Sequence, residues 1–248
     1  MSILSPSEIN QKAIEIGTAK ANLTIPRMLI LGALAGAFIA AAGIGAVLAT
    51  KYGGKLAGAC VFPAGLAMVV VAGSELFTGN SLMLAAYLDH KISLGGLLRN
   101  WAFVLFGNLL GALFVTIIAS ASGVLDIASD SLVATATAKV DLTFYEALFR
   151  GILCNFLVCI AVWMSFAANS VAGKILAVFF PVMLFVLCGF EHSVANLFYV
   201  PAGIFAGADI TIADFILHNL LPVVLGNLIG GALLVSAAYY FTVKKTPA

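Results

Sequence analysis

Charged side chains are scarce in this sequence. They make up 9% of its 248 residues, whereas 62% of the residues are hydrophobic and the mean hydropathy is +1.13. Soluble domains carry about 25% charged residues, so the composition excludes an ordinary soluble protein and predicts an integral membrane protein in a lipid bilayer. A net charge of only +1 also argues against a nucleic-acid partner.

Cysteine and histidine are also few, and neither forms a cluster. The four cysteines lie in apolar runs without a CxxC spacing, which is typical of small core residues and not of disulfides or zinc ligands. Of the three histidines, His90 and His218 lie near the ends of apolar runs, and only His192 lies in the middle of one. An enzyme would need a nucleophile with a base, or a set of metal ligands. We therefore expect no catalytic site, no metal and no cofactor.

A cleavable signal peptide is not expected, because residues 1–26 are polar and contain no apolar core segment. The segment instead predicts a short amphipathic helix that begins near Ser5-Pro6, with a disordered tail as the alternative. The apolar side of this helix would consist of Ile9, Ala13, Ile14 and Ile16.

Apolar runs long enough to cross about 30 Å of hydrocarbon recur along the chain. They fall at 28–50, 56–88, 97–121, 143–168, 172–206 and 215–243. The second and fifth runs are too long for one span, and small and polar residues interrupt each of them, "GSELFTGN" (Gly73–Asn80) and "GFEHSVAN" (Gly189–Asn196). The sequence therefore predicts six transmembrane helices, of which the second and fifth are broken.

The two interruptions belong to an internal repeat. Both read G-x-E-x-x-x-x-N, and "GNLLGAL" at Gly107–Leu113 returns as "GNLIGGAL" at Gly226–Leu233. The chain thus reads as a single transmembrane domain, 1–248, whose two halves span residues 27–122 and 143–243. Because three spans is an odd number, the second half must enter the membrane with the opposite orientation. We expect an all-α fold built from two inverted three-helix repeats.

Basic residues indicate the orientation in the membrane. Eight lie on the side of the N-terminus: Lys12, Lys20, Arg27, Lys91, Arg99, Lys174, Lys244 and Lys245. Four lie on the other side: Lys51, Lys55, Lys139 and Arg150. The positive-inside rule then places both termini in the cytoplasm, which for a multi-pass protein of this kind predicts the cytoplasmic (inner) membrane.

A pair of broken helices at membrane depth is tolerated only where it lines a cavity or is buried in protein. Each break exposes the N-terminus of a half-helix, near Asn80 and near Asn196, and such termini attract anions. Large apolar residues around the breaks would either strip water from a permeant or pack as ordinary core. These residues are Phe62, Leu66, Leu76, Phe77 and Phe185.

Polar residues near the breaks carry separate interpretations. Glu75 and Glu191 recur in both halves, which favours a structural role in satisfying loop N–H groups. The counterpart of His192 in the first half is Leu76, so only one half has a titratable group here. Histidine titrates near neutrality, so His192 can donate a hydrogen bond to an anion or pass it a proton. Thr78 can bind the permeant or cap the half-helix. Lys139 is either a solvated loop residue or part of an anion funnel.

Four segments together resemble the formate/nitrite transporter family. They are "GSELFTGN", "KVDLTFYEALFRGILCNFLVCIAVWMS", "GFEHSVAN" and "GNLIGG". The resemblance implies an aquaporin-like protomer of six spans, a homopentamer with one pore per subunit, and conduction of small monovalent anions of weak acids: formate, nitrite or hydrosulfide. Segment "ELFTGN" and the short N-terminus resemble formate and hydrosulfide members more than nitrite members.

The resemblance also implies roles for individual residues. Leu76, Phe77 and Thr78 match the family's first break, and Phe62, Leu66 and Phe185 match the residues of its slits. His192 matches its central histidine, Lys139 its vestibule lysine, and Asn155 the asparagine of its fourth span. A neutral-solute channel of the aquaporin type is the alternative function, but it would carry Asn-Pro-Ala at both breaks, and neither break has it. The sequence leaves open whether transport is passive or coupled to protons.

Overall fold

The structure is a computed structural model that describes residues 4–243, and this part of the chain contains helices and no strand. The first half comprises α1 (Pro6–Ala21), α2 (Ile25–Val61), α3 (Pro63–Ala72), a 3-10 helix (Gly79–Met83), α4 (Leu84–Leu88) and α5 (Leu94–Ala121). A 3-10 turn (Asp126–Ala128) and α6 (Ser129–Val140) precede α7 (Phe144–Ala167), α8 (Val171–Cys188) and α9 (Ser193–Phe205). The last span consists of α10 (Ile212–Asp214), a π-helix (Phe215–Leu220), α11 (Leu221–Leu228), a second π-helix (Ile229–Ala237) and α12 (Ala238–Val243).

The N-terminal helix forms as the sequence predicts. Ser5 caps α1 through a capping box with Glu8, in which each side chain bonds the other residue's backbone N–H. Ile9 and Ile14 are buried against the rest of the protein. Lys244 and Lys245, two of the eight basic residues used to predict orientation, lie outside the described residues.

A backbone irregularity separates the first two spans. The helix α2 runs through Gly54, whose φ of 78° and ψ of 178° are not helical. A residue with a side chain rarely adopts this conformation, so glycine permits the chain to turn and continue as the start of the second span. The second span then consists of the end of α2 with α3, followed after the break by the 3-10 helix and α4.

Length and hydropathy agree with six spans. Five helical stretches are long and apolar enough to cross a membrane, and the first of them, Ile25–Ala72, contains the bend at Gly54. The fifth span is α8 continued by the shorter apolar helix α9 after the second break. The second and fifth spans are therefore the broken ones, as the sequence predicts.

Glycines bring two equivalent helix pairs into close contact. A methyl group at Gly36 or Gly111 would overlap the backbone of the opposite helix in the α2–α5 pair. A methyl group at Gly226 or Gly230 would do the same in the pair formed by α7 and the last span. Small residues of this kind let transmembrane helices approach backbone to backbone. Each break is bonded to the close pair of its own half, through Glu75 N to the Leu31 carbonyl of α2 and through Glu191 N to the Arg150 carbonyl of α7.

Candidate functional site

The two breaks begin in the same way. Gly73 caps the C-terminus of α3 and Gly189 caps that of α8, and both glycines adopt left-handed backbone conformations with φ of 80° and 70°. Glycine is the residue that takes this conformation without a steric penalty. After each glycine the backbone forms a short loop that leads into the next helical segment, which starts at Gly79 in the first half and at Ser193 in the second.

Two buried asparagines satisfy the backbone of these loops. The Asn108 Oδ1 accepts a hydrogen bond from Phe77 N at 3.0 Å, and its Nδ2 donates to the Glu75 carbonyl at 2.8 Å. In the second half, Asn227 Oδ1 accepts from Ser193 N at 2.9 Å and its Nδ2 donates to the Glu191 carbonyl at 3.0 Å. An unpaired backbone group at this depth is costly, so these amides are what allow the helices to break here.

The repeated glutamates do not satisfy loop N–H groups, which corrects the role expected for them. Glu75 instead accepts from Lys20 Nζ at 2.7 Å and from Asn80 Nδ2 at 2.7 Å. Glu191 accepts from Lys139 Nζ at 2.9 and 3.1 Å and from Asn196 Nδ2 at 2.7 Å. Each carboxylate is thus held by a lysine and by the asparagine that ends its own motif. The predicted structural role is retained with different partners.

The position of Lys139 also differs from the expectation. It lies in the last turn of α6 and not in a loop, and its side chain is 15% exposed in the ion pair with Glu191. Sequence reasoning missed its counterpart Lys20, which lies in the last turn of α1. The spacing contained the signal: Lys20 and Lys139 are 139 − 20 = 119 residues apart, as Asn108 and Asn227 are.

The polar centre lies between the breaks, where Thr78 meets His192. Thr78 Oγ1 and His192 Nε2 are 3.0 Å apart, and both side chains are buried. His192 is the N-cap of α9, and its Nδ1 accepts a hydrogen bond from Ala195 N at 2.9 Å. A ring nitrogen that accepts carries no proton, so in a neutral ring the proton is on Nε2, which donates to Thr78. The Thr78 hydroxyl proton then points elsewhere.

Two side chains of α7 donate hydrogen bonds to the backbone carbonyl of Thr78. The Asn155 Nδ2 donates to the Thr78 carbonyl at 3.2 Å and to the Asn227 carbonyl at 2.6 Å, which ties the two halves together. The Cys159 thiol donates to the same Thr78 carbonyl at 3.3 Å. The predicted site residue Asn155 therefore orients Thr78 and lines neither cavity described below.

Two cavities border the breaks, one lined by Leu76 and Gly79, the neighbours of Thr78, and the other by His192 itself. The cavity beside α1, of about 420 Å³, is called the α1 cavity, and the cavity beside α6, of about 210 Å³, the α6 cavity. Lysines line both: Lys12, Lys20 and Lys174 in the α1 cavity and Lys55 and Lys139 in the α6 cavity. The two share no lining residue.

The predicted slit residues divide between the cavities. Leu66 and Leu76 line the α1 cavity, whereas Phe62 and Phe185 line the α6 cavity together with His192. The rings of Phe62 and Phe185 meet edge to face with centroids 5.8 Å apart, and Phe185 stacks on the His192 ring at 5.7 Å. Phe77 is buried and, like Thr78, lines neither cavity.

Metal-binding groups are not assembled at this centre. Within residues 4–243, no three His, Cys, Asp or Glu side chains lie close enough to hold a metal ion. The arrangement that is present consists of hydrogen-bond donors at the breaks and two cavities lined by lysines and large apolar side chains.

Comparisons with known proteins agree with this geometry. The model of the formate/nitrite transporter family matches residues 7–241. The uncharacterized transporter YrhG of Bacillus subtilis is 43% identical over 99% of this chain and 96% of its own length. The formate channel BtFdhC of Bacillus thuringiensis is 40% identical over 99% of this chain and 98% of its own length.

A solved structure extends the agreement to the fold. A pentameric formate channel with formate bound is 35% identical and superposes with a TM-score of 0.79, covering 88% of this chain and 96% of that one. These matches confirm the predicted fold and a transport protein as opposed to an enzyme. The chain belongs to the formate/nitrite transporter family.

Proposed function

We propose that this protein is a channel for small monovalent anions of weak acids, with formate as its main substrate and hydrosulfide and nitrite as further permeants. The observation that carries the proposal is the buried Thr78–His192 pair, held between two lysine-lined cavities by the two broken helices. Formate is favoured because a relative named a formate channel is 40% identical, and a structure solved with formate bound is 35% identical.

Lysines supply the attraction for the anion. Each cavity has one lysine in an ion pair with the glutamate of its break, Lys20 with Glu75 and Lys139 with Glu191. Further lysines line the cavities, so positive charge exceeds negative charge on both sides of the centre. Charged clefts with apolar walls concentrate ions of opposite sign. The anion therefore reaches the slits at a raised local concentration.

Apolar slits then remove water from the permeant. Leu66 and Leu76 narrow the path from the α1 cavity, and Phe62 and Phe185 narrow it from the α6 cavity. Such constrictions favour small and weakly hydrated solutes.

At the centre, the Thr78 hydroxyl donates a hydrogen bond to the dehydrated anion. Both nitrogens of His192 are already engaged, Nδ1 by Ala195 N–H and Nε2 by Thr78. Protonating Nδ1 would break the bond that caps α9, so the ring acts in this conformation by orienting the hydroxyl proton of Thr78 and not by giving up its own proton. Transport in this state is passive anion conduction.

Assembly and orientation follow from the same relatives and from the basic residues. We propose a homopentamer, because the superposed formate channel is pentameric. We place the protein in the cytoplasmic membrane with both termini in the cytoplasm, so that the α1 cavity faces the cytoplasm. We also propose that the repeats begin with α1 and α6, and not at residues 27 and 143, because Lys20 and Lys139 make equivalent ion pairs.

Flux into liposomes tests the proposed function. Purified protein is reconstituted, and uptake of labelled formate, nitrite and hydrosulfide is compared with uptake of glycerol, with and without a pH gradient. We expect formate uptake well above that of protein-free liposomes, no glycerol uptake, and formate uptake that does not require the gradient. Glycerol uptake without formate uptake would favour the neutral-solute channel instead.

A further inference from the structure

The two halves hold their lysines differently. Lys20 Nζ bonds Glu75 at 2.7 Å and also the Asn80 Oδ1 at 2.9 Å. Lys139 Nζ donates hydrogen bonds to the Glu191 carboxylate but not to Asn196, the residue equivalent to Asn80. The Asn196 Oδ1 has no hydrogen-bond partner among the described residues. In place of the amide oxygen, Lys139 Nζ lies over the ring of Tyr199, 5.5 Å from its centroid.

The residue at the position of Tyr199 also differs between the two repeats. Tyr199 follows Glu191 by eight residues, as Met83 follows Glu75, so the two are equivalent. Both line the cavity of their own half, Met83 the α1 cavity and Tyr199 the α6 cavity. A methionine has no aromatic face to offer an ammonium group. An aromatic contact to the lysine is therefore possible at this position on the α6 side alone.

Tyr199 also contacts the slit. Its ring stacks on Phe62 with centroids 6.4 Å apart and an interplanar angle of 21°. Phe62 in turn meets Phe185, which stacks on His192. One ring thus touches both the lysine that attracts the anion and the wall of the constriction that dehydrates it. Removing the ring would leave Lys139 with its ion pair to Glu191 alone and Phe62 with its contact to Phe185 alone.

We propose, on the basis of the proposed anion conduction, that Tyr199 is a specificity-determining residue of the α6 cavity. Its aromatic ring fixes Lys139 at the cavity wall and braces Phe62, so that it sets both the attraction for small anions and the size limit of the slit. The ring and not the hydroxyl has this role, because the two contacts that carry it are made by the ring face.

The experiment compares Tyr199→Met, which introduces the side chain found at the equivalent position, with Tyr199→Phe, which keeps the ring. Liposomes are assayed for uptake of formate and of the larger acetate. We expect Tyr199→Met to raise the half-saturating formate concentration by roughly three- to tenfold, the size of one cation–π contact. We also expect it to raise the acetate-to-formate ratio, because Phe62 loses its stacking partner. Tyr199→Phe and the control Met28→Leu, at a buried residue that lines neither cavity, are expected to stay within about twofold of wild type, since neither removes a ring contact.

The outcomes separate the inference from the function. Wild-type protein without formate uptake would refute the proposed conduction itself. Wild-type conduction together with an unchanged acetate-to-formate ratio in Tyr199→Met would overturn the role of Tyr199 alone. A change in Tyr199→Phe equal to that in Tyr199→Met would assign the effect to the hydroxyl and overturn the role of the ring. If Tyr199→Met does not assemble, Tyr199→Trp replaces it: it keeps an aromatic face and is expected to keep the wild-type ratio, and a raised ratio contradicts the proposal.

Discussion

Lys20 and Lys139 occupy equivalent places in the two halves of this protein, and each pairs with the glutamate of the break in its own half, at 2.7 and 2.9 Å. The ion pairs fasten the two amphipathic helices, α1 and α6, to the two broken spans. Each lysine also lines the cavity of its own half.

Removing one member of such a pair should cost more than removing both. Lys139→Met leaves the Glu191 carboxylate without its counter-ion, and we expect a loss of about 2–4 kcal/mol in the free energy of unfolding. Lys139→Met combined with Glu191→Gln should recover part of that loss, because no charge is left unpaired. Thermal unfolding in mild detergent measures both. If the double variant loses as much stability as Lys139→Met and Glu191→Gln lose separately when added together, the two residues are not coupled.

Asn108 and Asn227 should be equally important to the breaks. Replacing either by leucine leaves a loop N–H and two buried carbonyl groups without their partner. We expect each variant to lose about 2–5 kcal/mol of stability. Asn22→Leu is the control, since Asn22 is on the surface at the end of α1. Stabilities of the two variants equal to that of the control would mean that the breaks do not depend on these amides.

Much of this architecture could be predicted from the sequence, and the reasons are physical. The two breaks were visible because small and polar residues interrupt apolar runs, and Glu75 and Glu191 because they repeat in register. Lys20 was missed because the distance between the halves changes from 116 residues at the glutamates to 119 at the lysines, so the alignment of the breaks did not reach α1. The burial of Phe77 and the contact of Lys139 with Tyr199 depend on how helices pack, which no local pattern specifies.

The slits make a prediction about permeant size. Leu66→Ala or Leu76→Ala shortens a side chain that lines the α1 cavity, and we expect faster formate uptake or permeation by acetate. Val182→Ala is the matched control, because Val182 is buried in the core and lines neither cavity. It should lower stability by about 1–3 kcal/mol without changing the size limit. The assignment of a slit fails if both leucine variants lose stability like the control and keep the wild-type size limit.

The centre makes the most specific prediction, since Thr78 and His192 should act as one unit. Thr78→Val keeps the shape of the side chain but removes the hydroxyl, and we expect formate uptake to fall by roughly tenfold or more, the value of one hydrogen bond to a charged group. Thr78→Ser restores the donor and should conduct. His192→Asn can still cap α9 with its oxygen and leaves the Thr78 hydroxyl in place, so it should conduct formate at pH 7.

What His192→Asn removes is titration. Wild-type uptake should fall at acidic pH once the ring gains a proton, because a proton on Nδ1 is incompatible with the bond from Ala195 N–H, and burial opposes the charged imidazolium. The charged groups beside this ring, Glu191 and its partner Lys139, remain in the variant. Uptake of labelled formate by wild type and variant between about pH 4 and pH 8, with equal pH on both sides of the membrane, measures the difference. A His192→Asn channel with the full wild-type pH profile, or a Thr78→Val channel with wild-type uptake, would show that the pair is a structural contact and that the permeant is recognised elsewhere.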